Sequence, residues 1–297
     1  MNVIPGNTEL IELKHIESTF KTTCRIYGKV ENTNPSGSIK DRAVYQMLLG
    51  YQQEGKLVKG GIVIEATSGN TGISLAFFQK VFDYKAVILM PKSMSKERRD
   101  KIASYGAQLV LIDGGMKQCE DEAIALQQKT PHSLIFGQFE NENNPLAHYL
   151  TTGPEIAKQL DKVDYIFAGF GTGGTVSGLG RYFKEHKTNT KIIGVEPRQS
   201  PLLTKGVASP HLIQGIGANF IPQTLHREYI DEIVDVDDKA SIEMAKTIRE
   251  IEKIDIGISS GAALLCALNY IKEHNLKEGN IVVIFPDKGD RYKWTND

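Results

Sequence analysis

The sequence predicts an α/β protein with parallel sheets, folded as two lobes. Two observations predict this. Short apolar runs alternate with helix-length amphipathic or apolar segments along the whole chain, as a parallel sheet with crossover helices requires. The chain also has 297 residues, and single cores seldom grow beyond ~250–300 residues. A composition of 24% charged and 40% hydrophobic residues is that of an ordinary globular protein. The net charge of -1 gives no reason to expect nucleic acid or a membrane surface as partner. No apolar run reaches membrane-spanning length.

The opening residues Met1 to Gly6 carry neither a basic n-region nor an apolar h-region, so no signal peptide is expected. Cys24, Cys119 and Cys266 are far apart and lack CxxC spacing, which suits reduced thiols in a cytoplasmic protein. The seven histidines are scattered without HxxxH or HExxH, so no metal site is expected.

Thr8 to Leu13 and Thr22 to Asn32 read as strands, behind a turn at Pro5-Gly6-Asn7. Next comes Asn34-Pro35-Ser36-Gly37-Ser38-Ile39-Lys40-Asp41-Arg42. Pro35 disfavours helix at Asn34, and Gly37 permits a tight turn. Ser36 or Ser38 can cap a helix with Lys40 in its first turn, running to about Gln53. Strand Ile62 to Ile64 leads through Glu65-Ala66 to Thr67-Ser68-Gly69-Asn70-Thr71-Gly72. The helix after it, to about Phe82, is apolar on nearly every face and is expected to be buried.

Strand 86–90, helix 95–105, strand 108–112, helix 118–128 and strand 133–136 follow. An Asn-rich loop ending at Asn144-Pro145 is the expected lobe boundary. Beyond it come helix 154–160, strand 165–168, a glycine-rich turn, helix 176–185 and strand 192–195. Residues 199–226 form a long irregular segment containing Gln214-Gly215-Ile216-Gly217, and loops this long in compact domains are usually functional. Strand 233–236, helices 239–251 and 261–271, and strand 281–285 complete the pattern, with no internal repeat.

Four motifs carry chemistry. The positive end of a helix repels an ammonium, which favours a neutral Lys40, and a neutral amine can condense with a carbonyl. Taken alone, a solvated lysine on an exposed helix start is the plainer reading. Thr67 to Gly72 gathers backbone N–H groups, hydroxyls and a helix N-terminus around one point, which suits a carboxylate or phosphate. A plain cap would need only one of those residues. Asn70 adds an amide that can donate to a ring oxygen.

Gly169-Phe170-Gly171-Thr172-Gly173-Gly174 matches G-x-G-x-x-G, and Glu196 lies one strand on, where a ribose-binding acid would sit. A nicotinamide-dependent oxidoreductase is therefore a competing reading. The motif's place in the second half of the chain weighs against it, as does Lys40, which has no role in hydride transfer. Gly257-Ile258-Ser259-Ser260-Gly261 reads locally as an ordinary helix cap, or functionally as a Ser259 hydroxyl facing a heteroaromatic nitrogen.

Pyridoxal 5′-phosphate uses all four pieces. Lys40 suits its aldehyde, residues 171–175 its phosphate, Asn70 its ring oxygen and Ser259 its ring nitrogen. Taken in order, these motifs closely resemble the cysteine synthases (O-acetylserine sulfhydrylases), fold-type II enzymes related to the tryptophan synthase β chain. The resemblance runs from Gly6-Asn7-Thr8 to Asp290-Arg291-Tyr292.

It implies two three-layer lobes with mostly parallel twisted sheets. Residues 35–144 would form a smaller lobe that closes on substrate, and residues 1–34 with 145–297 a larger lobe that holds the cofactor. It implies Lys40 as the Schiff-base lysine and acid/base, Gly171, Thr172, Gly173, Gly174 and Thr175 around the phosphate, and Ser259 at the pyridine nitrogen. Thr67, Ser68, Gly69, Asn70, Thr71, Gln138 and Gly215 would bind the substrate, with no metal.

The implied reaction is β-replacement, making L-cysteine and acetate from O-acetyl-L-serine and sulfide through an aminoacrylate intermediate. A neutral Ser259 cannot stabilise a protonated ring nitrogen as a carboxylate would, which favours elimination over transamination. Cystathionine β-synthase and a sulfide-producing cysteine β-lyase share the first half-reaction. A homodimer is usual in the family.

The chain departs from the family pattern at Glu9, where proline is usual, and at Asn219, where glycine is common. Asn141 to Gly153 and Pro286 to Arg291 look more like B-type cysteine synthases, and the tail after Tyr292 is shorter than usual. These departures bear on leaving group and nucleophile, and leave the cofactor chemistry intact.

Overall fold

Aliphatic runs that are apolar on both faces can only sit inside a sheet covered on both sides, and this chain builds two such sheets. The computed structural model describes residues 3–67, 69–292 and 294. Its elements are β1 (Leu10–Glu12), α1 (Lys14–Thr19), β2 (Arg25–Val30), α2 (Lys40–Gln53), β3 (Ile62–Ala66), α3 (Asn70–Phe78), β4 (Lys85–Pro91), α4 (Lys96–Ser104), β5 (Gln108–Ile112), α5 (Met116–Lys129) and β6 (Ser133–Ile135). The chain continues through α6 (Asn143–Ala147), α7 (Gly153–Gln159), β7 (Tyr165–Gly169), α8 (Gly174–Glu185), β8 (Lys191–Pro197), α9 (Leu202–Lys205), β9 (Glu232–Val236), α10 (Asp238–Ile251), α11 (Ile258–Glu273) and β10 (Asn280–Phe285).

The larger sheet is six-stranded in the order β1-β2-β10-β7-β8-β9. Only β1 runs antiparallel to its neighbour. Along β10 the two-residue period divides the core. Ile281, Val283 and Phe285 face α10 and α11, while Val282 and Ile284 face α7 and α8. The smaller sheet is four-stranded, β5-β4-β3-β6, and wholly parallel. Val63, Ile88 and Met90 pack with α2, α3 and α4 on one face, and Ile64, Val87 and Leu89 with α5 on the other. The fold is thus two sheets, each sandwiched between helices in three α/β/α layers, as the resemblance implies.

Two local expectations need correction. The N-cap position of α2 is Ile39, and neither serine caps the helix. Instead Asp41 reaches back, its carboxylate accepting from Ser36 N and Ser36 Oγ at 2.5 Å each. The preceding turn is held by the helix, the reverse of the expected arrangement. The Asn-rich stretch is loop only as far as Glu142, because α6 begins at Asn143 and passes through a wide π turn (His148–Thr152) into α7. Asn141 Oδ1 accepts from Asn143 N at 2.9 Å, and Pro145 sits in the first turn, where a missing N–H breaks no bond. Residues 199–226 are irregular as expected, apart from the single turn of α9.

Candidate active site

Ligands of open parallel sheets gather beyond the carboxyl ends of the strands. Here the carboxyl ends of β3 and β6 in one sheet face those of β7 and β10 in the other. A cavity of about 790 Å³ lies between them, within the ~300–1,000 Å³ usual for small-molecule sites. The helices α2, α3, α8 and α11 all start at its wall, with Lys40, Asn70, Thr175 and Ser259 lining it. Four helix N-termini make the cavity a place for anions.

Lys40 is the first residue of α2. It is placed by the strand end beside it, since Ile39 N donates to Pro286 O at 2.8 Å and Ser38 bridges Asp287. Burial pulls the Lys40 ammonium below the ordinary lysine value, and the Asp287 carboxylate pulls weakly the other way. Desolvation thus adds to the helix-end effect that the sequence suggests.

The glycine loop is built by exclusion. Gly173 adopts φ +82°, and a Cβ there would lie 2.6 Å from that of Leu225. A Cβ on Gly171 would approach Gly215 O at 2.7 Å. Gly174 sits behind the loop rather than on the cavity wall, pressed against Asn144. Asn144 Nδ2 in turn donates to Thr172 Oγ1 at 3.0 Å and to Gln138 O at 2.8 Å. The loop therefore exposes backbone and threonine hydroxyls and contains no cationic side chain.

The opposite wall carries Thr67, Gly69, Asn70, Thr71 and Gln138, and Gly215 lines the cavity at φ +93°. Ser68 lies outside the described residues. Thr71 Oγ1 donates to Gln138 Oε1 at 2.6 Å. Ser259, the second residue of α11, is buried and lines the cavity.

Several lining groups carry no site role in the sequence reading. Asp287 is 2% exposed and accepts at Oδ2 from Asn70 Nδ2 and Tyr292 OH, both at 2.7 Å. Its Oδ1 has no partner among the described residues, and burial pushes its carboxyl up despite Arg291, Tyr292 and Asn70. Arg291 donates to Asn70 Oδ1, and Arg98 spans the cavity to Gln214 Oε1. His148 stands behind the loop, its Nε2 3.3 Å from Thr175 Oγ1 and its Nδ1 2.9 Å from Thr152 Oγ1. Burial keeps it neutral. The signal available for Asp287 was its place immediately after a central parallel strand.

Glu196 resolves the competing dinucleotide motif. Its carboxylate accepts from Leu203 N at 2.9 Å and Thr204 N at 3.0 Å, tying down the start of α9. It is 1% exposed and is not part of the cavity wall. A ribose would find no acid there.

The donor set fits pyridoxal 5′-phosphate. A buried lysine, a backbone cradle that added Cβ atoms would fill, an amide and a neutral hydroxyl surround one space of suitable size. Among the described residues no group of three or more His, Cys, Asp or Glu side chains could hold a metal, and no helix is long and apolar enough to cross a membrane.

Residues 2–287 match the family model described as pyridoxal-phosphate dependent enzyme. The chain is 41% identical over 292 residues to a cysteine synthase of Staphylococcus aureus, covering 97% of this chain and 93% of that one. It is 42% identical over 294 residues to cysteine synthase B of Campylobacter jejuni, covering 98% and 95%. The crystal structure of a hydrogen sulfide-producing enzyme from Fusobacterium nucleatum superposes with a TM-score of 0.94 at 41% identity, covering 98% of this chain and 96% of that one. Motifs, cavity and comparisons agree: the chain belongs to the pyridoxal-phosphate dependent enzyme family.

Proposed function

We propose that this enzyme catalyses β-replacement as a cysteine synthase, forming L-cysteine and acetate from O-acetyl-L-serine and sulfide. The observation that carries the proposal is the convergence of Lys40, Ser259, the glycine loop (Gly171, Thr172, Gly173, Thr175) and the facing wall (Thr67, Gly69, Asn70, Thr71) on one cavity. Gly171, Thr172, Gly173 and Thr175 would hold the cofactor phosphate, with Gly174 shaping the loop from behind. Asn70 would face the ring oxygen, Ser259 the ring nitrogen, and Lys40 the aldehyde. When bound, pyridoxal phosphate supplies an electron sink for the substrate's α-carbon.

The protein's own groups do the rest. Thr67, Gly69, Thr71 and Gln138 orient the substrate carboxylate, so that the α-hydrogen faces Lys40. The Lys40 amine, whose burial favours the neutral form, takes that proton and later returns one. Ser259 would offer the ring nitrogen a neutral hydroxyl rather than a charge, which would limit protonation at that atom. Closure of residues 35–144 over the cavity would exclude water during the exchange of acetate for sulfide. The same proposal takes the protein as a homodimer, as the resemblance implies, in the cytoplasm, as the dispersed cysteines suggest.

The likeness to a hydrogen sulfide-producing enzyme supports a second reading, a cysteine β-lyase on the same residues. Initial rates separate the two. Cysteine formation from O-acetylserine and sulfide, faster than sulfide release from cysteine, supports the synthase. The opposite order replaces it with the lyase.

A further inference from the structure

Glu65 lies near the end of β3 at 4% exposure, behind the cavity wall rather than on it. Strands β3 and β6 run parallel with Ile64 opposite Ile135, so the Glu65 carboxylate meets the backbone just beyond β6. Gly137 N donates to Glu65 Oε2 at 3.1 Å and Gln138 Nε2 to Glu65 Oε1 at 2.9 Å. Gly137 adopts φ +67°, which bends the turn so that its N–H groups wrap the anion.

An amide side chain has one donor end and one acceptor end. With the Gln138 donor end drawn to Glu65, its Oε1 is left facing Thr71, whose hydroxyl donates to it at 2.6 Å. Thr71 and Gln138 both line the cavity. The donors that remain for an incoming carboxylate are the second Gln138 Nε2 hydrogen and the N–H groups at the start of α3.

We propose that Glu65 is the positioning residue of the substrate-carboxylate wall, setting through Gln138 and Thr71 which donors meet the amino acid. This rests on the assignment of that wall given above. Apolar packing and catalysis by Lys40 do not need a carboxylate at this place. The relay of hydrogen bonds does.

The test is titration of the holoenzyme with O-acetyl-L-serine and with L-serine, followed by the cofactor's visible absorption, beside steady-state kinetics. Glu65→Gln replaces one acceptor oxygen by a donor at nearly constant volume. It is expected to weaken amino-acid binding and raise KM about tenfold, as losing a hydrogen bond to a charged group does. The cofactor band should persist and kcat should change much less than KM.

Gln138→Leu should weaken binding similarly, and the double variant should be no weaker than the worse single one, since the two residues act in series. Glu65→Asp keeps the charge but retracts it, and should show the same loss where Glu65→Gln fails to fold. Unchanged affinity in either Glu65 variant, or additive losses in the double variant, overturns the proposal. A wild-type holoenzyme that ignores both amino acids overturns the assignment of the wall itself, and this inference with it.

Discussion

Asn70 Nδ2 donates to Asp287 Oδ2 at 2.7 Å, joining two residues separated by 217 positions. Asn70 opens α3, which covers the four-stranded sheet, and Asp287 follows β10 of the six-stranded one. The bond therefore ties the two sheets together at the cavity floor. Arg291 closes the group by donating to Asn70 Oδ1 and to Ser36 O.

Asn70→Ala should destabilise the cofactor-free protein by about 1–3 kcal/mol, because a buried carboxylate loses a donor and Arg291 an acceptor. Urea unfolding of the apoprotein measures this apart from any effect on catalysis.

Arg42, two residues after Lys40, is fully buried between Glu31 and Glu155, with ion-pair distances of 2.7 Å to each. Removing it leaves Glu31 without a cationic partner and leaves Glu155 with Lys29 alone. Arg42→Ala should cost on the order of 3–5 kcal/mol and displace the start of α2, lowering cofactor content as well. Burial raises Glu155, but Arg42 and Lys29 outweigh it and hold the carboxyl at about 2. The stability this gives is present above the ordinary value of 4.5 and is lost as pH falls towards about 2. The cost of Arg42→Ala should therefore be largest above pH 4.5 and shrink as pH falls towards about 2, as parallel acid titrations of the two proteins check.

Glu65 has the opposite sign. Burial raises its carboxyl from 4.5 to about 7, against the lowering effect of the Gly137 and Gln138 N–H groups. Glu120 on α5 adds a little to the rise, and Tyr51 on α2 senses the same carboxylate. A raised folded value means that the contribution is full below 4.5 and is lost as pH rises through about 7. Relative to Glu65→Gln, the wild type should lose roughly 3 kcal/mol between acid and mildly alkaline pH. Parallel denaturant titrations at several pH values check this.

Gly174→Ala places a Cβ against Asn144 Oδ1. Asn144 must then leave Thr172 and Gln138, so the phosphate loop and the substrate wall are disturbed together. Cofactor affinity should fall at least tenfold, about 1.4 kcal/mol, as measured by equilibrium dialysis.

The fold was legible where periodicity is strong. β5 and α2 match the sequence reading almost residue for residue, since apolar period and stop signals agree there. The Asn141–Pro145 stretch was misread because turn-forming residues also open helices, and only packing against α2 and α8 decides between the two. The sequence motifs around Lys40, Thr67 and Gly171 supply residues on both walls of the cavity, because their types and order are unusual together.

Asp287, Asn144 and Glu65 were not legible as site residues. Their roles depend on neighbours 217, 28 and 73 positions away, respectively. Single-sequence spacing cannot express such pairs.

The proposed function requires that Lys40 binds pyridoxal phosphate where an amino acid and then sulfide can reach it. The most direct measurement is the visible spectrum of the purified protein, recorded alone, with O-acetylserine, and after sulfide, for the wild type and Lys40→Ala. A Lys40-dependent band is expected, which O-acetylserine shifts to longer wavelength and sulfide restores as cysteine forms. A band that persists as the same Lys-linked chromophore in Lys40→Ala, or no band even after adding the cofactor, would contradict it.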